Sequence, residues 1–168
     1  NALVLDLGCG PGILFDRVKE KVTKYVGVDN APHFIRRSKE KAAGDSHASF
    51  VEQNINDFQP SPRSYDSVVL TNVLYQEGVD AVAVLKRAIA ALRPGGKLIV
   101  SGPTSPTSFA DIEKLIERDL IADGHLPKHE ALFREICKSN ESLLVQNGNY
   151  WSAEGMRELL LQLGAKEI

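Results

Sequence analysis

A doubly wound α/β domain built on a parallel sheet is the fold class this sequence predicts, and three observations predict it. Short apolar runs alternate along the chain with stretches of helical periodicity, the pattern of βαβ units. The first apolar run, Val4-Leu5-Asp6-Leu7, leads straight into Gly8-Cys9-Gly10-Pro11-Gly12, a turn whose glycines permit φ > 0 and close approach of a ligand. The second run, Tyr25-Val26-Gly27-Val28, ends on Asp29, 23 residues after Asp6. A glycine turn after the first strand and a carboxylate at the tip of the second form the nucleotide-binding corner of such sheets.

Strand one is expected over residues 3–7. Pro11 suits a first helical position, where its missing N–H costs nothing, and Leu14, Val18 and Val22 predict a helix over 12–22. Strand two is expected over 25–28, and Pro32 opens a helix over 32–42. Strands follow at 49–53 and 66–71, with Pro60-Ser61-Pro62-Arg63-Ser64 as a surface loop between them. Val82, Leu85, Ile89 and Leu92 give a helix over 79–92 its buried stripe, and strand five runs over 97–101. Pro103-Thr104-Ser105-Pro106-Thr107-Ser108 then breaks the sheet pattern. Phe109, Ile112, Ile116 and Leu120 mark one further helix; Leu132, Phe133 and Ile136 mark another from about Lys128 to Lys138. Ser152 is the expected N-cap of a last helix over 152–163, with no capping box because Gly155 stands at its third position. Met156, Leu159, Leu160 and Leu163 make its apolar face, and Gly164 stops it.

With 168 residues, 43% hydrophobic and 25% charged, the chain reads as a single soluble domain. No apolar run approaches the roughly 20 residues that span a bilayer, and the first residues carry no basic-then-apolar export signal. A formal net charge of −2 lacks the basic excess of a nucleic-acid binder. Two cysteines, Cys9 and Cys137, make no disulfide framework and suit a reducing, cytoplasmic setting. Neither a membrane nor a nucleic acid is the expected partner.

Asp29 can accept hydrogen bonds from both hydroxyls of a ribose; the competing reading is a helix-start residue, since Pro32 follows. A dinucleotide turn, G-x-G-x-x-G, wants its third glycine at position 13, which is Ile13 here; the next glycine is Gly12. Asp6, Gly8, Gly10 and Gly12 instead match, position by position, the D-x-G-x-G-x-G motif of the class I S-adenosylmethionine-dependent methyltransferases, which this chain resembles. The resemblance continues through Phe50-Val51-Glu52-Gln53-Asn54-Ile55-Asn56-Asp57-Phe58, where Asn54 stands at the position of the family's adenine-facing acid. It includes Tyr65-Asp66 and the strand after it, and ends at Leu92-Arg93-Pro94-Gly95-Gly96-Lys97-Leu98-Ile99-Val100.

That resemblance implies a Rossmann-like sheet in the order 3-2-1-4-5, all parallel. It implies S-adenosyl-L-methionine as cofactor, S-adenosyl-L-homocysteine as product, and methyl transfer to O, N or C of a small-molecule acceptor. The cofactor would be held by Asp6, Gly8, Cys9, Gly10, Gly12, Asp29, Asn30, Asn54, Ile55 and Asn72. The Asn54 amide oxygen can still accept from an exocyclic amine, without charge assistance; Asp57 would substitute if the alignment slips, and Ile55 would offer its N–H to the ring. The ligand has no phosphate, and no Lys or Arg occurs between Asn1 and Gly12. The rival readings are a nicotinamide-dependent oxidoreductase, which Ile13 disfavours, and a cofactor-binding domain without turnover. Compared with the family, both ends read as cut. The first strand starts close to Asn1, Lys166-Glu167-Ile168 starts a sixth strand, and the last two strands are missing.

Residues 1–102 are then the cofactor-binding core, 103–150 a helical lid over the acceptor, and 151–168 the last helix and the start of strand six; the plainer reading of 103–150 is a pair of structural helices. Tyr75, just past strand four, could orient an acceptor, face a cation, or simply pack. Asn72 could touch the cofactor's methionine end or make a strand-end turn. His125 and His129 have the i, i+4 spacing of a metal pair, but Pro127 between them argues against a continuous helix, and no third ligand stands out beyond Glu130. Either histidine could serve as general base. Tyr150 and Trp151 could line the acceptor pocket or simply seal the lid against the sheet, and Tyr150 joins Tyr75, His125 and His129 as a catalytic candidate. Cys9 reads as a space-filler, since no His lies near it to activate it.

Overall fold

The computed structural model describes residues 2–104, 109–140 and 149–166. Five strands, β1 (Leu3–Leu7), β2 (Lys24–Asp29), β3 (Ala48–Glu52), β4 (Tyr65–Thr71) and β5 (Leu92–Ser101), form one sheet in the order β3-β2-β1-β4-β5. Every pairing is parallel; Leu5 lies opposite Val26 on one side and Val68 on the other. This is the Rossmann-like order that the resemblance implies. Helices α1 (Ile13–Val18), α2 (Pro32–Lys41), α3 (Ala81–Ala91), α4 (Phe109–Ala122), α5 (Leu126–Asn140) and α6 (Ala153–Gln162) complete the described chain.

β1 is apolar at nearly every position because it is covered on both faces, as central parallel strands are. Leu5 and Leu7 join Val28, Val68, Leu70 and the inner side of α3 (Val84, Leu85, Ala88), with Leu160 of α6 packed into the same core. Val4 points the other way, into a core of Phe15 from α1, Tyr25, Ile35 from α2 and Phe50. There the three rings meet with centroids 5.3 to 5.7 Å apart, Phe15 and Phe50 edge to face at 87°. Such aromatic pairs add to the area they bury.

The boundaries depart from the sequence pattern where a tertiary contact intervenes. The helix expected over 12–22 ends at Val18 and tightens into a 3₁₀ turn at Lys19–Lys21. Those three residues are exposed, and the Thr23 N–H bonds to the Ala2 carbonyl at 2.9 Å, pulling the chain into β2. α3 starts at Ala81, two residues after the expected 79, because the Asp80 side chain caps it by accepting the Ala83 N–H at 3.0 Å. β5 begins at Leu92 and absorbs the Pro94-Gly95-Gly96 turn as a bulge: Tyr65 faces Leu92 while Ser67 faces Lys97. α5 starts at Leu126 rather than near Lys128, since Pro127 is tolerated within a helix's first turn. As expected, no continuous helix carries both histidines: His125 precedes α5, and its carbonyl accepts the His129 N–H at 3.2 Å.

The Tyr65-Asp66 pair is structural. Tyr65 is core, and Asp66 accepts the Leu3 N–H at 2.7 Å while pairing with Arg93, so one carboxylate ties together the starts of β1, β4 and β5. Among the described residues no helix is long and apolar enough to cross a membrane. Lys166 lies outside any strand; Glu167 and Ile168 of the expected sixth strand, and Ser105 to Ser108 of the expected break, lie outside the described residues.

Candidate cofactor and acceptor sites

At the carboxyl ends of β1 and β2 the glycine turn is fastened by its own amides. The N–H groups of Gly8 and Cys9 both reach the Val28 carbonyl, at 2.8 and 3.0 Å, and the Gly12 N–H reaches the Cys9 carbonyl at 3.1 Å. The Gly10 N–H donates to Asp29 Oδ2 at 2.9 Å. Pro11 has no N–H, so every amide from Gly8 to Gly12 is already engaged, whereas a phosphate cradle presents such groups to its anion. Gly8 must be glycine twice over: φ is +80°, and a Cβ there would sit 2.6 Å from a Val73 methyl.

Asp29 is locked in place by the same turn. Oδ2 accepts from Gly10 and Oδ1 accepts from the Ala31 N–H at 2.9 Å. The second bond leads the chain into α2, as the helix-start reading expects, and each oxygen keeps a further lone pair.

A cavity of about 250 Å³ opens beside it, between the strand ends and the loop that follows β4. It brings together Gly8, Asp29, Asn30, Asn54 and Ile55 of the expected residues, with Asn56, Val73 and Glu77 among its other walls. Its charged lining residues, Asp29 and Glu77, are both acidic. Asn54 Oδ1 accepts the Asn56 N–H at 2.9 Å, a local turn that aims the side chain. Asp57 is exposed and outside the lining.

The remaining expected residues sit beneath or beside this cavity. Asp6 is buried and accepts the Tyr25 hydroxyl. Burial pushes its carboxyl from 3.8 up to about 6, with the Tyr25 hydrogen bond opposing the rise and the Asp29 charge adding to it. Cys9 is buried, and its thiol is pushed well above the ordinary range, by burial first and then by Asp6 and Asp29. That environment is the opposite of an activated nucleophile's. Gly10 and Gly12 shape the turn without lining the cavity. Asn72 occupies the left-handed region at φ 55° and donates its N–H to the Ser101 carbonyl at 2.8 Å, joining the ends of β4 and β5.

Three positioning residues were absent from the sequence reading. Ser38 of α2 is fully buried with its hydroxyl 2.9 Å from the Gly10 carbonyl, bolting the helix to the turn. Asn56 donates to the Gly78 carbonyl at 2.7 Å and accepts the Asp80 N–H at 3.0 Å, joining two walls of the cavity. Arg87 of α3 reaches the Ile55 carbonyl at 3.2 Å. Ser38 does leave a signal, a small polar residue one turn after Ile35 on the inner face of α2. The partners of Asn56 and Arg87 are too distant in sequence to leave one.

A second cavity, about 230 Å³, lies past the ends of β4 and β5 and includes Tyr75, Thr104, Asn149 and Trp151 in its lining. Tyr75 is half-buried, and Tyr150 stacks on it at 6.0 Å between centroids, 27° between planes. The Asn149 N–H donates to the Tyr75 carbonyl at 3.1 Å. A larger groove of about 430 Å³ between α2 and β3 is lined by Arg36, Lys39 and Glu52, away from the glycine turn. His125 and His129 are exposed, their rings 6.4 Å apart, and line none of these cavities. Among the described residues no cluster of metal-ligating side chains occurs.

A parallel sheet in this order, with an acid-tipped second strand and a self-fastened glycine turn, defines a Rossmann-like α/β domain. Residues 4–96 match the family described as "Methyltransferase domain", and the chain belongs to that family, in its class I S-adenosylmethionine-dependent form. It is 30% identical over 159 residues to trans-aconitate 2-methyltransferase of Rhodopseudomonas palustris (strain BisB5), covering 89% of this chain and 55% of that protein. It is 28% identical over 144 residues to a ubiquinone biosynthesis O-methyltransferase of Xanthomonas campestris pv. campestris (strain B100), covering 84% and 59%. The chain thus spans little more than half of either relative. Among solved structures, an S-adenosylmethionine-dependent methyltransferase from Mesorhizobium loti superposes with a TM-score of 0.67 at 17% identity, covering 100% of this chain and 76% of that one.

Proposed function

We propose that this chain binds S-adenosylmethionine in the cavity beside Gly8, Asp29 and Asn54, and that its methyl group passes to a small molecule held in the cavity beside Tyr75 and Trp151. The observation that carries the reading is Asp29. It is fixed by two backbone amides at the mouth of a pocket whose lining charges are acidic only, next to a turn with no amide left for a phosphate. Those features suit a cationic nucleoside and oppose a dinucleotide.

The cofactor supplies a methyl group already activated on a sulfonium, so the protein's part is alignment and exclusion of water. Asp29 accepts from the ribose hydroxyls, with Gly10 holding its carboxylate in register. Asn54 and Ile55 bound the adenine end, their loop held by Asn56 and Arg87. Tyr75, braced by Tyr150, forms the wall of the acceptor cavity. The α4–α5 hairpin is the next pair of elements after β5 in the chain, and we assign it as the lid over that cavity. The names of the two relatives, which specify small molecules as acceptor or product class, support a small-molecule acceptor.

Calorimetric titration with S-adenosylmethionine, S-adenosylhomocysteine, NAD and NADP tests the reading. Binding of the first two alone supports it, and binding of a nicotinamide cofactor overturns it. Asp29→Ala should weaken S-adenosylhomocysteine about tenfold or more, the value of a charge-assisted contact; unchanged affinity would sink the ribose role.

A further inference from the structure

Resting on the methyl-transfer reading, we infer that the acceptor is a neutral, planar aromatic molecule rather than a carboxylate, and that Tyr75 and Trp151 select it. The cavity past β4 and β5 has Tyr75, Trp151, Val100 and Met156 in its lining, and among the described residues no charged side chain lines it. A carboxylate taken from water into such a site has no partner, and that desolvation is costly. A flat ring loses little by the same transfer and gains stacking.

Tyr150 stacks against the Tyr75 ring, and the absence of a side chain at Gly102 leaves space beside it. Ser101 and Thr104 supply uncharged polar groups at the rim for one substituent. Among the described residues none of the lining side chains is a His, Asp or Glu, which suits an acceptor that yields its proton readily, as an aromatic hydroxyl does more than an aliphatic one. In the balanced step the acceptor oxygen bonds the methyl carbon, the sulfur–carbon bond breaks with its electron pair kept by sulfur, and the hydroxyl proton leaves to water. The same cavity disfavours the carboxylate substrate in the name of the trans-aconitate relative, although the similarity between the two chains extends over 89% of this one.

The test is calorimetry on the full 168-residue chain, first with S-adenosylhomocysteine alone, then with 2-naphthol and trans-aconitate added separately to the saturated protein. The expected result is binding of 2-naphthol at least about tenfold tighter than trans-aconitate. Trp151→Leu should weaken 2-naphthol about fivefold or more, the loss of one stacked ring. Should that variant fail to fold, Thr104→Arg, at an exposed rim position, should reverse the preference by giving the carboxylate a cation. No binding of S-adenosylhomocysteine overturns the cofactor reading and the acceptor assignment with it. Saturable S-adenosylhomocysteine with trans-aconitate preferred, or 2-naphthol affinity unmoved by both substitutions, overturns the acceptor class alone.

Discussion

Asp6 is the first acid of the glycine motif, yet its environment is the hydrophobic interior under the turn, with the Tyr25 hydroxyl as its partner. Its carboxyl is pushed from 3.8 up to about 6, so the folded state holds the proton more tightly than the unfolded one. Stability from this group is therefore fullest below pH ~4 and declines as pH rises to about 6, by on the order of 3 kcal/mol. Urea denaturation of the ligand-free protein at a series of pH values should show that decline, and Asp6→Asn, which keeps an acceptor for Tyr25, should flatten it. The glycines offer a second comparison. Gly8→Ala meets both a left-handed φ and Val73 and should cost about 2–4 kcal/mol, whereas Gly10→Ala, at φ +52° with nothing within 4 Å, should cost about 1–2 kcal/mol. Urea midpoints measure the difference; equal costs would contradict the Val73 contact. Asp29 and the glycines were legible in the sequence because the motif spans neighbouring residues whose spacing alone places them. Asn56 and Arg87 were not, because each acts on a carbonyl supplied by another element.

Helices and strands were legible where burial repeats on its own period, as in α3 with Val84, Leu85 and Ala88 inward. They were less so at ends set by a single bond. Asp80 moved the start of α3, the Thr23–Ala2 bond cut α1 short, and the bulge opposite Tyr65 lengthened β5. Asp80→Ala should cost about 1 kcal/mol, the ordinary value of an N-cap, and read out as a lowered urea midpoint with unchanged slope. Ser152 caps α6 as the sequence indicated, accepting the Gly155 N–H at 3.0 Å. In the α4–α5 hairpin, Phe133 is buried and Arg134 pairs with Glu113 and Glu117, while Leu115, Ile116 and Leu132 remain exposed. A pair of helices sealed by few buried side chains should exchange its amides faster than β1 or β4. Hydrogen exchange followed by mass spectrometry measures this, and protection equal to that of β1 would exclude a lid that moves.

Across the whole molecule the two cavities lie where the chain leaves the sheet, at the carboxyl ends of β1, β2, β4 and β5, as open α/β sheets place their ligands. The body of the sheet serves to hold those ends at fixed spacing. Because ligand contacts draw on the glycine turn, the β3–β4 loop and the loop after β4 together, binding should stabilise the fold as a unit. S-adenosylhomocysteine at a hundred times its Kd should add about 2.7 kcal/mol, seen as a rise in Tm of about 5–10 °C; no shift would be incompatible with a site built from all three segments.

The central strand also has a history during synthesis. β1 pairs with β2 across some twenty residues, but its other edge waits for β4, with Val4 opposite Ser67. While the ribosome makes the intervening stretch, an apolar strand stands with one row of amides and carbonyls unpaired, open to association with any other nascent chain. Arrival of β4 closes that edge, and the carboxylate of Asp66 then receives the Leu3 amide. The emergence of Tyr65–Thr71 is thus the moment at which the open edge passes from β1 to β4, to be closed in turn by β5.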